Sequence, residues 1–351
     1  MNRTFICRAL SGIGFFCLMA NSPAQRYEVT DLGARQGASA HAHGLNRAGH
    51  VVGGSGHPHD ADTHAVFWGE SAAMHDLGSL PGGDYVAAFA VNDGDAIVGV
   101  SNTPGGMRAF HWSRATGLQD LGVLRGTSSS AAYAINNLGQ IAGVSGARAV
   151  IWSHAGGVIQ DLGTLGGEWS EARSISNQAQ VAGASDTANG PRAFLWTKGL
   201  MKDLGVLPGD TESRANQVND RGAVVGASEG PAGTHAFLWT NEGGMKALAS
   251  PSGNYSEAFA LNNLGQIVGQ SDGPLGAHAY LWNNGGGAID LNELVDRAKS
   301  GVILTAALSI NDKGQIVAIG VVDEKSSRHE QLVEDAHIHS SGTHVFLLTP
   351  N

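Results

Sequence analysis

Histidine is the residue type whose placement in this chain could do chemistry. Three His-x-His pairs occur: His41-Ala42-His43, His57-Pro58-His59 and His337-Ile338-His339. On an extended strand such a pair sends both imidazoles to one side, a geometry that suits Zn²⁺, Cu²⁺ or Ni²⁺. His57, His59, His337 and His339 are therefore candidate metal ligands. Carboxylates accompany them, with Asp60 after His59 and Glu330 after His329. His41, His57, His59, Asp60, His329 and Glu330 form a candidate ligand-binding set. The same mixture could instead perform general acid–base chemistry on a polysaccharide or ester, and the spacing does not select between the two. Gly-x-Ser-x-Gly, Walker A and His-Glu-x-x-His motifs are all absent. Oxygen-rich turns such as Ser185-Asp186-Thr187-Ala188-Asn189-Gly190 offer Ca²⁺ ligands, although polar turns without an ion look the same.

The elements that must position these residues are repeats. The segment Ala258-Phe259-Ala260-Leu261-Asn262-Asn263-Leu264-Gly265-Gln266-Ile267-Val268-Gly269 has six relatives, centred on Asn46, Asn92, Asn136, Ser176, Asn219 and Asn311. A second element, His235-Ala236-Phe237-Leu238-Trp239, recurs with its tryptophan at 68, 112, 152, 196 and 282, and with Leu348 in the last copy. A third, Asp-Leu-Gly, begins at Asp31, Asp76, Asp120, Asp161 and Asp203 and is degraded at Lys246 and Asp290. Each unit holds four short runs rich in Val, Ile, Phe and Trp, separated by Gly- and Asn-containing turns. Such runs are strands, too short and too often interrupted by glycine for helices. Four antiparallel strands at this period make a β-propeller blade.

Seven copies predict an all-β, seven-bladed propeller. The segment Tyr27-Glu28-Val29-Thr30-Asp31-Leu32-Gly33 stands alone before the first complete unit, and the last unit stops at its third strand. The N-terminal strand is thus expected to complete the last blade and close the ring, leaving no free sheet edge at the seam. The small-residue first strands belong at the axis. The tryptophans belong between blades, and the Asp of Asp-Leu-Gly should hold backbone amides in a turn. His64, His235, His278 and His344 share one repeated position and read as scaffold. His43 stands where other units have Phe89, Tyr133 and Phe259.

Taken together, His-Ala-Phe-Leu-Trp, Met-Lys-Asp-Leu-Gly and Ile-Asn-Asn-Leu-Gly-Gln-Ile-Val-Gly-x-Ser resemble the HAF-type extracellular repeat of bacterial secreted proteins. The likeness spans residues 25–351 and departs from the pattern at Ser176, Ala179, Lys246 and Leu348. It implies an exported repeat protein and carries over no catalytic residue.

Residues 1–24 fit that implication, because they read as a secretory signal. Arg3 and Arg8 precede an apolar run over residues 9–20, and Ser22 and Ala24 flank a cleavage site before Gln25. That run is too short to span a membrane. Cleavage would remove both cysteines, Cys7 and Cys17, and two positive charges, moving the formal charge from −10 to −12. An acidic chain without basic clusters is a poor partner for nucleic acid, and no membrane insertion is expected of residues 25–351. The 51 glycines among 351 residues are explained by the many turns.

Function should lie where the repeats differ. Ring closure makes the first and last blades neighbours. The loop over residues 57–64 and an insertion over residues 321–343 would then bring the histidine pairs into one sector, on the face opposite the Asn-x-x-Gly turns. The expectation is a secreted or periplasmic propeller that binds an extracellular glycan, small molecule or protein on its loop face. The alternative is a secreted hydrolase or lyase acting on extracellular polymer, with a His-rich site, working with or without a metal ion, at the junction of blades seven and one.

Overall fold

The computed structural model describes residues 25–33, 39–56, 64–251, 254–273, 276–283, 287–296, 300–322 and 343–351. Over these residues the chain forms seven four-stranded antiparallel sheets. Six are sequential meanders: β2(Ser39–Leu45) to β5(Met74–Asp76), β6(Val86–Val91) to β9(Gly117–Asp120), β10(Ser130–Ile135) to β13(Ile159–Asp161), β14(Ser170–Ile175) to β17(Leu200–Asp203), β18(Glu212–Val218) to β21(Gly244–Ala247) and β22(Ser256–Leu261) to β25(Ala288–Asp290). The seventh combines β26(Val302–Ile310), β27(Ile316–Val322) and β28(His344–Pro350) with β1(Tyr27–Asp31). Tyr27 pairs with Pro350 and Asp31 with Phe346, so the N-terminal strand completes the last blade as the repeats predict. No helix among the described residues is long and apolar enough to cross a membrane.

The core is seven hydrophobic clusters, one at each junction between blades. Trp152 is fully buried against Val98 and Leu121 of the preceding blade, and Trp68 against Val317 and Val345 across the seam. Trp196, Trp239 and Trp282 repeat the arrangement. At the junction of blades six and seven, Leu348 stands in for tryptophan. Leu291, Leu294, Val295 and Tyr27 fill the space that the smaller side chain leaves.

The Asp of Asp-Leu-Gly does what its type suggests. Gly33, Gly78, Gly122, Gly163 and Gly205 each donate a backbone N–H to the Asp two residues earlier, at 2.7–2.9 Å. Its carboxylate also holds the side chain that precedes Ala-Phe on the adjacent strand. His64 meets Asp76 at 2.8 Å, His278 meets Asp290 at 2.6 Å and His344 meets Asp31 at 2.8 Å. Arg148 fills the same role against Asp161. Where Ala247 stands in the Asp position, His235 turns instead to Asp210, 3.7 Å away. This histidine series is scaffold.

The repeated Asn does more than its turn requires. Its side-chain carbonyl accepts two N–H groups of its own hairpin: Asn262 Oδ1 takes those of Leu264 and Gln266, both at 3.0 Å. Its amide then donates to the backbone carbonyl of the corresponding residue one blade on. These bonds run from Asn46 to Asn92, Asn92 to Asn136, Asn136 to Ser176, Asn219 to Asn262, Asn262 to Asn311, and across the seam from Asn311 to Asn46, at 3.0–3.1 Å. Ser176 accepts from Gln178 and Gln180 but has no amide with which to reach Asn219. The following residues build a second circuit, in which Asp93, Asn137, Asn177, Asp220, Asn263 and Asp312 each accept the N–H of the preceding turn. Arg47 offers no acceptor to the seam.

Two outcomes follow. Ser176→Asn should supply the missing donor and raise unfolding free energy by about 1 kcal/mol, the net value of a typical hydrogen bond, as measured by urea denaturation. Gly143→Ala should lower it by about 3 kcal/mol, because a Cβ there would lie 2.0 Å from the Ala131 carbonyl oxygen. A Gly143→Ala protein as stable as its parent would show that this close approach is not obligatory.

Candidate functional site

The innermost strands are not regular. Each slips by one residue against its neighbour: between Ala42 and Gly44, Ala88 and Ala90, Ala132 and Ala134, Ala172 and Ser174, Ala215 and Gln217, Ala258 and Ala260, and Ala307 and Ser309. The residue inside each gap is a β-bulge, a device that redirects a side chain. Glycines make room for it. Gly53, Gly99, Gly143, Gly183, Gly226 and Gly269 pair with the residue just before each bulge. An added Cβ would sit 1.8–2.0 Å from a carbonyl oxygen of the innermost strand at every one. In the last blade Ala318 takes this place, and Gly320 serves a second slip between Leu304 and Ala306.

The seven bulged residues are His43, Phe89, Tyr133, Arg173, Asn216, Phe259 and Leu308. All line one axial cavity of about 420 Å³, which extends from the bulges to the Asn turns. This position holds six residue types in seven copies, whereas the residue just before the bulge is alanine in all seven.

The wall is mixed, with Phe259 of blade six and Leu308 of blade seven adding apolar surface to the groups below. Blades one to three carry aromatic rings: His43 meets Phe89 edge-on at 5.3 Å, and Phe89 meets Tyr133 at 5.4 Å. His43 touches channel solvent but is walled in by the surrounding blades. That enclosure, with a smaller contribution from His41, pushes its imidazole down to about 4, so the ring is neutral near pH 7. Burial raises the Tyr133 phenol, and the Glu171 and Arg173 charges act on it in opposite directions.

Blades four to six carry a polar network, of which Arg173 and Asn216 line the cavity. Arg173 Nε donates to Glu171 at 2.6 Å and Nη1 donates to Asn216 Oδ1 at 3.1 Å. The Asn216 amide donates to Glu257 at 2.8 Å and to the Ala258 carbonyl at 3.0 Å. Arg214 makes a two-pronged pair with Glu257, at 3.1 and 2.8 Å, and the Tyr255 hydroxyl adds a third donor at 3.0 Å. Burial opposes ionisation of Glu257, but Arg214 first, then Asn216 and Tyr255, outweigh it and hold the carboxyl below its ordinary value. Tyr255 is pushed up to about 12, by burial and then by Glu257. Glu257 is thus a committed acceptor, its two oxygens taken by Arg214, Asn216 and Tyr255.

Of the residues singled out from the sequence, His41 lies on the same strand as His43, nearer the end away from the Asn turns, and it is exposed. His57, His59, Asp60, His329, Glu330, His337 and His339 lie outside the described residues, as does most of the insertion over residues 321–343. Among the described residues no three His, Cys, Asp or Glu gather closely enough to hold a metal ion. The turn over residues 186–191 closes on itself, with Thr187 Oγ1 donating to the Gly190 carbonyl at 2.8 Å. Sequence reasoning passed over the bulge ring. The signal was present as the one column of the repeat that mixes His, Phe, Tyr, Arg, Asn and Leu.

No protein-family model matches the chain, and no curated protein matches it. Solved structures do. Virginiamycin B lyase from Staphylococcus aureus is similar with a TM-score of 0.56 at 10% identity, over 92% of this chain and 99% of that one. YCF48 bound to D1 peptide is similar at 0.53 and 10%, over 93% and 97%. TolB from Acinetobacter baumannii is similar at 0.50 and 13%, over 68% of this chain and only 61% of its own length. What these likenesses share with the seven closed blades is architecture, and the chain is a seven-bladed β-propeller.

Proposed function

We propose that this chain is an exported propeller that binds a small molecule in its axial cavity. The observation that carries the reading is the bulge ring. Blades that all carry alanine just before the bulge, and in six of seven a tryptophan and a glycine paired with that alanine, disagree where their side chains converge on the axis. A position kept for packing would repeat, whereas a position shaped by one asymmetric ligand would not. The cavity's size favours a small molecule over a polymer or a folded partner. The signal-like residues 1–24 and the HAF-type repeats support a location outside the cytoplasm.

This moves the proposed site from the loop face to the axis, between the Asn turns. The hydrolase or lyase alternative drew on His57, His59, His337 and His339, which lie outside the described residues. The axial groups are arranged for holding. Glu257 is committed to Arg214, Asn216 and Tyr255, and none of these is poised as a base beside a nucleophile.

The test is a thermal-shift screen of residues 25–351 against a mixed library of sugars, organic acids and neutral aromatic compounds, repeated on Phe89→Arg. That substitution should place a long charged side chain in the cavity and abolish at least four-fifths of the shifts. Compounds that shift both proteins equally bind elsewhere, and a screen consisting only of those would remove the axial reading.

A further inference from the structure

The cavity wall also indicates what kind of molecule it takes; this step rests on the axial reading above. The polar groups reaching the cavity fall into those already satisfied and those left over. Asn216 is satisfied on both ends, by Arg173 on its oxygen and by Glu257 and the Ala258 carbonyl on its amide. At the mouth, Asp93, Asp220 and Asp312 each spend both carboxylate oxygens on neighbouring turns. Asp93 takes Arg47 N–H and the Asn137 amide, Asp220 takes both Asn177 donors, and Asp312 takes both Asn263 donors. These acceptors are occupied.

What remains is mostly donors. Arg173 uses Nε on Glu171 and one Nη1 hydrogen on Asn216, which leaves Nη2 and the second Nη1 hydrogen without a partner among the described residues. The Tyr133 hydroxyl has none either, and it stands close enough to Arg173 for that charge to act on it. The neutral His43 ring contributes one N–H. Blades one, three and four therefore each present a spare donor. Phe89, Phe259 and Leu308, from blades two, six and seven, supply apolar surface to the same cavity. Arg173 is the one cation at the level of the bulges, since Arg47 belongs to the turns at the mouth.

We propose that the axial cavity takes a small organic carboxylate with a flat or apolar body. Its carboxylate is held by the free edge of the Arg173 guanidinium and by the Tyr133 hydroxyl, and its body lies against Phe89 and Phe259. Guanidinium and phenol suit this role because charge-assisted bonds to a carboxylate are short and strong. Glu171 offsets the Arg173 charge but occupies only the Nε edge, so the carboxylate is recognised by the directed N–H groups of the other edge rather than by net positive charge.

The experiment is isothermal titration of residues 25–351 with benzoate and phenylacetate, and with their neutral counterparts benzamide and phenylacetamide. The acids are expected to bind about tenfold more tightly than the amides, the difference that one charged hydrogen bond supplies. Arg173→Met should abolish that preference. Because Arg173 also joins the network to Asn216, Tyr133→Phe is the second variant: it leaves the hydrogen bonds among Arg173, Asn216, Glu257 and Arg214 in place and should weaken the acids severalfold but not the amides. Unfolding midpoints of both variants confirm that the folded protein is being compared. Acids and amides binding equally well, or a preference for acids that survives both substitutions, overturns the carboxylate assignment. Should neutral compounds bind instead and lose binding in Phe89→Arg, the axial site stands and only its ligand class falls. If none of the four probes binds, the carboxylate assignment falls, and the library screen alone decides whether the axis is a site.

Discussion

The structure depends on one side chain repeated around a ring. Asparagine at the first hairpin of a blade can accept two N–H groups from its own turn and still donate to the next blade. Serine and aspartate can do the first, but they lack an amide for the second. Hairpin geometry and blade-to-blade spacing are therefore set by the same few atoms, all largely buried. A buried amide left half-satisfied would cost more than the bond contributes, so the circuit favours all of its members being present. Its gap after Ser176 falls where Asn177 bonds to Asp220 twice and Arg173 reaches Asn216, and fasteners of other kinds take over there.

Scaffold and site were unequally legible in the sequence. Strand count, blade period and closure by the N-terminal strand could all be read from the spacing of Asn, Trp and Asp-Leu-Gly. So could the separation of His64, His278 and His344 from any site, since each occupies a position whose partner Asp also repeats. The exchange of Asp for Ala247, with His235 turning to Asp210, shows that pairing as a cause of the repeat.

The bulges were not legible, and the reason is geometric. Alternation along a strand tells which side a residue faces only while the register holds. A slip of one residue redirects the side chain inside the gap, and nothing in Ala-Phe-Ala or Ala-Arg-Ser announces it. The paired glycine is the nearest clue, but it reads from sequence as a turn or strand-end residue. His43 was seen in the correct column and read only as an exchange for phenylalanine. Arg173 and Asn216 attracted no notice, since charged and polar residues on a small-residue strand look like a weakened repeat. The histidine pairs drew attention by composition, whereas the axial set becomes a set only when seven distant segments meet.

Closure of the ring also constrains how the protein can be made. β1 is among the first described segments to be synthesised, and its partner β28 is the last. Six blades can fold in order as their residues appear, each from neighbouring sequence, while β1 has nothing to pair with. The final sheet can be completed only after residue 350 has been added, although β26, which carries Leu308 and Asn311 to the axis, precedes it in the chain. The early strand must stay available through the synthesis of nearly the whole chain. The residues that line the cavity all precede β28, and the pairing of β1 with β28 is what locks the ring around them.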